Sequence, residues 1–230
     1  MKKVFIVITL ILVVLLTFVA CNSETQQEEK SALEKRVSTC HDAVYVGEND
    51  DFSADFILGE KEKLIEIDGK VGELTPFATL TVTPRSASLY NNTYTYKIKG
   101  EAGERTGDLT KDVVGAAFTA EIENAKEIGK VLSLTVSCEG ILESEVPLVD
   151  KMEGTLPRKE ILAIAEREFQ DAIKAESDTG NLEREIYVKL VNALSSDSPY
   201  YYYVSFIKSP SDYWALLLDP TTGEVISKKV

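Results

Sequence analysis

Histidine, tryptophan, methionine and cysteine are scarce in this 230-residue chain, which has one, one, two and three of them respectively. With a single histidine, His41, no cluster of histidines can hold a metal, and serine catalysis would need that residue as base or a Ser–Lys pair, neither of which has a supporting motif. His41 follows Cys40, and neighbours on a strand point to opposite faces, so the two do not form a dyad. No glycine-rich phosphate loop opens a helical segment. Basic residues are outnumbered, 25 Lys and Arg against 38 Asp and Glu, for a formal net charge of −13. That balance argues against nucleic acid as a partner and against electrostatic docking on anionic lipid. The expectation is therefore no catalytic residue, no bound metal and no cofactor. Glu48, Asn49, Asp50 and Asp51 offer hard oxygen ligands but lack the spacing of a calcium loop, and a solvated strand connection is the favoured reading.

Only one long apolar run is present. Lys2 and Lys3 precede residues 4–20, which are apolar except for Thr9 and Thr17, and Phe18-Val19-Ala20-Cys21 leads straight into the polar stretch Asn22 to Glu29. A basic start, an apolar core and a small residue before a cut make a secretory signal. Cys21 at that place resembles the lipobox of bacterial lipoproteins, with Phe18 where Leu is usual. The resemblance implies removal of residues 1–20 and acylation (palmitate-type) of Cys21. It places the chain on the extracytoplasmic face of the cell membrane, and multiple acyl chains give durable anchoring. The alternative is an uncleaved anchor, although the seventeen residues 4–20 are at the short limit for about 30 Å of hydrocarbon.

If Cys21 carries lipid, Cys40 and Cys138 remain, an even pair in an exported protein. A bridge between them would close a loop of about 100 residues and contribute roughly 4–5 kcal/mol. Two free buried thiols are the alternative, since cysteine behaves as a small apolar residue.

Residues 21–35 read as a polar tether. From 36 to 150 the hydrophobic period is two. Phe52, Ala54, Phe56 and Leu58 share one parity, as do Ala78, Leu80 and Val82, then Tyr94, Tyr96 and Ile98, Phe118, Ala120 and Ile122, and Leu132, Leu134, Val136 and Cys138. Asp68-Gly69 favours a two-residue hairpin. The pattern predicts an all-β antiparallel sandwich, immunoglobulin-like in architecture only, because the Cys…Trp…Cys core of true immunoglobulin domains is missing.

Residues 149–156 read as a linker, and 155–230 as a small α+β domain, a helix packed on an antiparallel sheet. Pro157 suits a first helical turn, and Leu162, Ala165, Phe169, Ala172 and Ile173 form one apolar stripe. Four strands follow, with Ile186/Val188/Leu190, Tyr202/Val204/Phe206 and Trp214/Leu216/Leu218 on buried parities and a short fourth at 225–229. The opening stretch Leu156 to Ala165 and the closing stretch Trp214 to Val225, with Asp219 ending one strand and Thr222-Gly223-Glu224 starting the next, resemble PepSY-type domains. The resemblance covers about a third of the chain and implies a binding or inhibitory module without catalytic residues.

Within Tyr200-Tyr201-Tyr202-Tyr203, strand parity sends Tyr202 to the core and leaves Tyr201 and Tyr203, with Ile207, as candidate partner contacts. They either meet an outside partner or pack against the sandwich. The expected function is a non-enzymatic, membrane-anchored binding module that restrains an exported peptidase or binds another envelope protein. A structural or adhesive surface protein using the sandwich is the alternative, and a carboxylate-dependent cell-wall hydrolase the weaker one.

Overall fold

The computed structural model describes residues 31–64, 68–112, 116–138, 141–179, 182–192 and 199–230. Cys21 and the apolar run lie outside them. Residues Ala32–Val230 form one compact unit. It is mostly β, a large antiparallel-dominated sheet with two short α-helices. No helix among the described residues is long and apolar enough to cross a membrane.

The strands are β1 (Val37–Glu48), β2 (Phe52–Glu62), β3 (Leu74–Pro84), β4 (Tyr94–Gly100), β5 (Glu104–Lys111), β6 (Phe118–Glu121), β7 (Val131–Cys138), β8 (Leu142–Pro147) and the two-residue β9 (Val149–Asp150). Helices α1 (Arg158–Glu168) and α2 (Gln170–Thr179) come next, then β10 (Glu185–Asn192), β11 (Tyr200–Ser209), β12 (Asp212–Leu218) and β13 (Val225–Lys229). The strand order is β13-β12-β11-β10-β1-β2-β3-β6-β5-β4-β7-β8. Every pairing in it is antiparallel except β1–β10, which is parallel at Val37↔Ile186 and Cys40↔Val188. A parallel pair needs a long crossover, and residues 49–184 supply it here.

Two hydrophobic clusters fill the unit. The first gathers Phe52, Phe56, Leu80, Val82, Tyr94, Ile98, Phe118 and Leu134, the parities expected from the sequence. The second joins Ile161, and from the expected helical stripe Leu162, Ala165 and Phe169, to Ile186, Val188, Val204, Phe206 and Leu216. Strand β1 serves both. Ala43 and Tyr45 face the first cluster, while Val44 and Val46 face the second. The register shift between His41 and Ala43 marks a bulge just before this shared stretch.

Several expectations change. Leu132 is exposed, and Val131 is buried in its place, because the register shifts between Lys99 and Gly100 where Gly100 meets Val131. Asp68-Gly69 does not make a two-residue hairpin. β2 ends at Glu62 and β3 starts at Leu74, with Lys63 N donating to Glu73 O, and residues 65–67 of that connection lie outside the described set. The linker 149–156 is partly a strand, since β9 pairs with β1 through Tyr45↔Asp150 and Val46↔Val149. The helix is divided at Phe169, whose N–H is still bonded to Ala165 O.

The expected Cys40–Cys138 bridge is absent. Both are free, buried thiols. Cys138 lies in the first cluster and Cys40 in the second, so the two are packed among different side chains.

Candidate binding face

The C-terminal strands β10 to β13 present one face to α1 and α2. On it, Tyr202 is buried and its hydroxyl donates to Leu156 O at 3.1 Å. The strand register determines what stands on the other face. One row across the sheet is Tyr187↔Ser205↔Ala215↔Lys229. The next row is Lys189↔Tyr203↔Leu217↔Ser227, and on the other side comes Glu185↔Ile207↔Tyr213. Val191↔Tyr201 closes the face towards the β10–β11 connection.

Tyr201, Tyr203 and Ile207 therefore share a face, as expected, and each remains half-buried. Tyr187, Tyr213, Leu217 and the two lysines join them. The sequence did carry a signal for these residues, because they occupy the opposite parity from Ile186, Val188, Trp214 and Leu216. What it did not show was that four strands align these positions into one surface.

The lysines are drawn onto the rings. Lys189 Nζ lies 4.6 Å from the Tyr187 ring centroid, and Lys229 Nζ lies 3.3 Å from that of Tyr213. An ammonium over an aromatic face is attracted by the ring quadrupole. Burial pulls the Lys189 ammonium below its ordinary lysine value. Burial also raises the Tyr187 hydroxyl, with Glu185 and Glu62 adding to the effect.

Glu185, the remaining charged residue of these rows, is almost fully buried. Its Oε1 accepts from Asp68 N at 3.0 Å and Gly69 N at 3.2 Å, while Oε2 accepts from Ser38 Oγ at 3.3 Å. Its carboxyl group is thus used to hold the backbone at Asp68 and Gly69. What the face offers is rigid aromatic area, costing little side-chain entropy on contact, with two cations beside it.

The other residues considered from sequence are arranged differently. Arg158 Nη1 donates to Cys40 Sγ at 2.6 Å, and Asp42 Oδ1 lies 3.9 Å from the same sulfur. Burial nevertheless raises the Cys40 thiol, so the neutral form is favoured. His41 is lowered to about 4, chiefly by burial. Its Nδ1 lies 3.2 Å from Leu190 O, an atom that only accepts, so Nδ1 carries the proton. Asp42 is held by Lys126 Nζ at 2.8 Å. The Glu48 to Asp51 stretch is a turn. Asn49 Oδ1 accepts from Asp51 N and Phe52 N, and Asp51 accepts from Ser144 Oγ. Among the described residues no group of three or more His, Cys, Asp or Glu is placed to hold a metal.

No family model matches the chain, and no curated protein or solved structure matches it.

Proposed function

We propose that the protein is a non-enzymatic binding module, held at the extracytoplasmic face of a membrane by lipid on Cys21, and that it contacts an exported polypeptide through the tyrosine face of β10 to β13. The observation that carries this reading is the alignment of Tyr187, Tyr201, Tyr203 and Tyr213 on a face that the two helices do not cover. Residues 155–230 are read as a PepSY-like domain, whose helix-on-sheet plan agrees with α1 and α2 packing on β10 to β12. An exported peptidase that the module restrains, or another envelope protein, is the partner this implies. Residues 36–150 are read as an immunoglobulin-like sandwich that shares β1 with the second part.

The test compares capture from the protein's own membranes by the full chain and by a Tyr201→Ser/Tyr203→Ser variant. The variant is expected to keep its thermal midpoint and lose the wild-type partner. Undiminished capture by the variant would remove the tyrosine face from the function.

A second reading, adhesion through residues 36–150, has one observation in its favour. A cleft of about 480 Å³ opens beside β3, lined by Leu58, Lys61, Phe77 and the 121–127 segment. Binding to a surface polymer that is lost on Phe77→Ser and kept in the tyrosine variant would favour it.

A further inference from the structure

Ser205 and Ala215 are adjacent in one cross-strand row, between the row of Tyr203 and Leu217 and the row of Ile207 and Tyr213. Two small side chains thus form the floor of a trough between larger ones, and it is closed over, since Ala215 as well as Ser205 is buried. Tyr187 stands at one end of the floor row and Lys229 at the other, on β13 at the edge of the sheet. Ser205 is 0% exposed, and its Oγ is a buried side-chain polar atom with no hydrogen-bond partner. A desolvated hydroxyl without a partner is costly, whereas polar groups inside proteins are nearly always bonded.

We propose that this trough receives a carboxylate side chain from an acidic polypeptide partner, with Ser205 Oγ donating to the carboxylate and Lys189 and Lys229 supplying the opposite charge. The inference rests on the binding reading above and names the chemistry of the partner. Charge complementarity is the main argument. In a chain of net charge −13, the charged side chains this face shows among the described residues are two lysines, since Glu185 is capped by the 68–69 backbone. A second copy of the chain would bring lysines against lysines across the contact, which disfavours self-association. Shape separates the remaining candidates. A sugar ring stacks on a continuous aromatic plane, whereas a single buried hydroxyl between two rows of larger side chains suits one protruding group. Entry requires the half-buried side chains of the flanking rows to turn aside, and rotamer changes of that kind are fast.

The test is calorimetric titration of hexaglutamate into the full chain at low salt, with hexagalacturonate and hexalysine as comparison probes, for the wild type and Ser205→Ala. Hexaglutamate is expected to bind saturably and to weaken as salt rises. Ser205→Ala should weaken it about tenfold, the usual size of one hydrogen bond to a charged group. The same variant should raise the thermal midpoint, because it deletes an unpartnered buried hydroxyl, so lost binding cannot be ascribed to unfolding. Lys189→Gln/Lys229→Gln should weaken binding and flatten its salt dependence. Unchanged affinity in Ser205→Ala, or preference for hexagalacturonate, overturns the proposal. If hexaglutamate fails to bind but the membrane partner is still lost by Tyr201→Ser/Tyr203→Ser, the trough is wrong and the face stands. If that partner is also retained by the tyrosine variant, both fall.

Discussion

Arg184 lies against Trp214, with its guanidinium carbon 3.9 Å from the ring centroid. The side chain is 4% exposed, and it pairs with Glu176 Oε1 at 2.6 Å and Asp212 Oδ1 at 2.9 Å. Trp214 in turn touches Phe169 and Phe206, with ring centroids 5.6 and 6.0 Å away. One cation therefore ties α2, the β11–β12 turn and the aromatic centre of the second cluster together. Arg184→Ala should cost about 1–3 kcal/mol, because it empties the space over Trp214 and removes the donors to Glu176 and to the carbonyls of Phe206 and Asp212. Arg184→Lys should recover part of that but not the planar stacking. Urea melts followed by the fluorescence of Trp214, the single tryptophan, would read both.

Glu185 gives the protein a pH dependence of defined sign. Burial raises its carboxyl above the usual 4.5, and the bonds from Asp68 N and Gly69 N only partly oppose this. The folded state therefore holds this proton more tightly than the unfolded chain does. Its contribution to stability is largest below the ordinary carboxylate value and declines as pH rises from there through the raised folded value. In Glu185→Gln the amide oxygen can still accept from the two backbone N–H groups, while its nitrogen donates to Ser38. That variant should be at least as stable as wild type near pH 7 and should flatten the decline. Glu185→Ala should lose about 1–3 kcal/mol by orphaning the two N–H groups. Thermal midpoints of the three proteins between pH 4 and pH 8 would check the prediction.

Free thiols at Cys40 and Cys138 make reductant irrelevant to stability. The midpoint of unfolding should be the same with and without dithiothreitol, and both thiols should react with a disulfide reagent only after denaturation. A midpoint that falls on reduction would restore the bridge.

Gly223 occupies φ +72° in the turn that Asp219 organises, where Asp219 Oδ1 accepts from Thr221 N and Thr222 N at 2.9 and 2.7 Å. A Cβ at Gly223 would run into the Ile164 side chain of α1 and come within 3.0 Å of Leu156 Cδ1. Gly223→Ala should therefore cost about 1–3 kcal/mol, through the left-handed backbone and the steric conflict together. Chemical denaturation of the full chain would measure it.

Strand parity was readable wherever one face is buried and the other is wet, as at Phe52 to Leu58 or Tyr202 to Phe206, because burial writes itself into alternate residues. Where one residue is inserted the rule slips by one, and the exchange of Leu132 for Val131 is the result. The meeting of β1 with β10 left no local mark. Val37 and Ile186 are far apart in sequence, and an apolar strand carries no label for its neighbour. Cys40 was misassigned for the same reason, since its packing depends on the β10 partnership. The candidate face was half legible. A run of four tyrosines draws the eye to Tyr201 and Tyr203, while Tyr187 and Tyr213 join them only once the register is known.

Sharing β1 between two cores has a mechanical side. It is the first strand of the unit, so a pull on the chain's N-terminal end is delivered to it before any other strand. Drawing it out would strip β2 of one partner and β10 of another, and would uncover Tyr45 from one cluster and Val44 from the other. Tension from that end would thus meet one cooperative resistance from the whole body rather than two weaker ones in series.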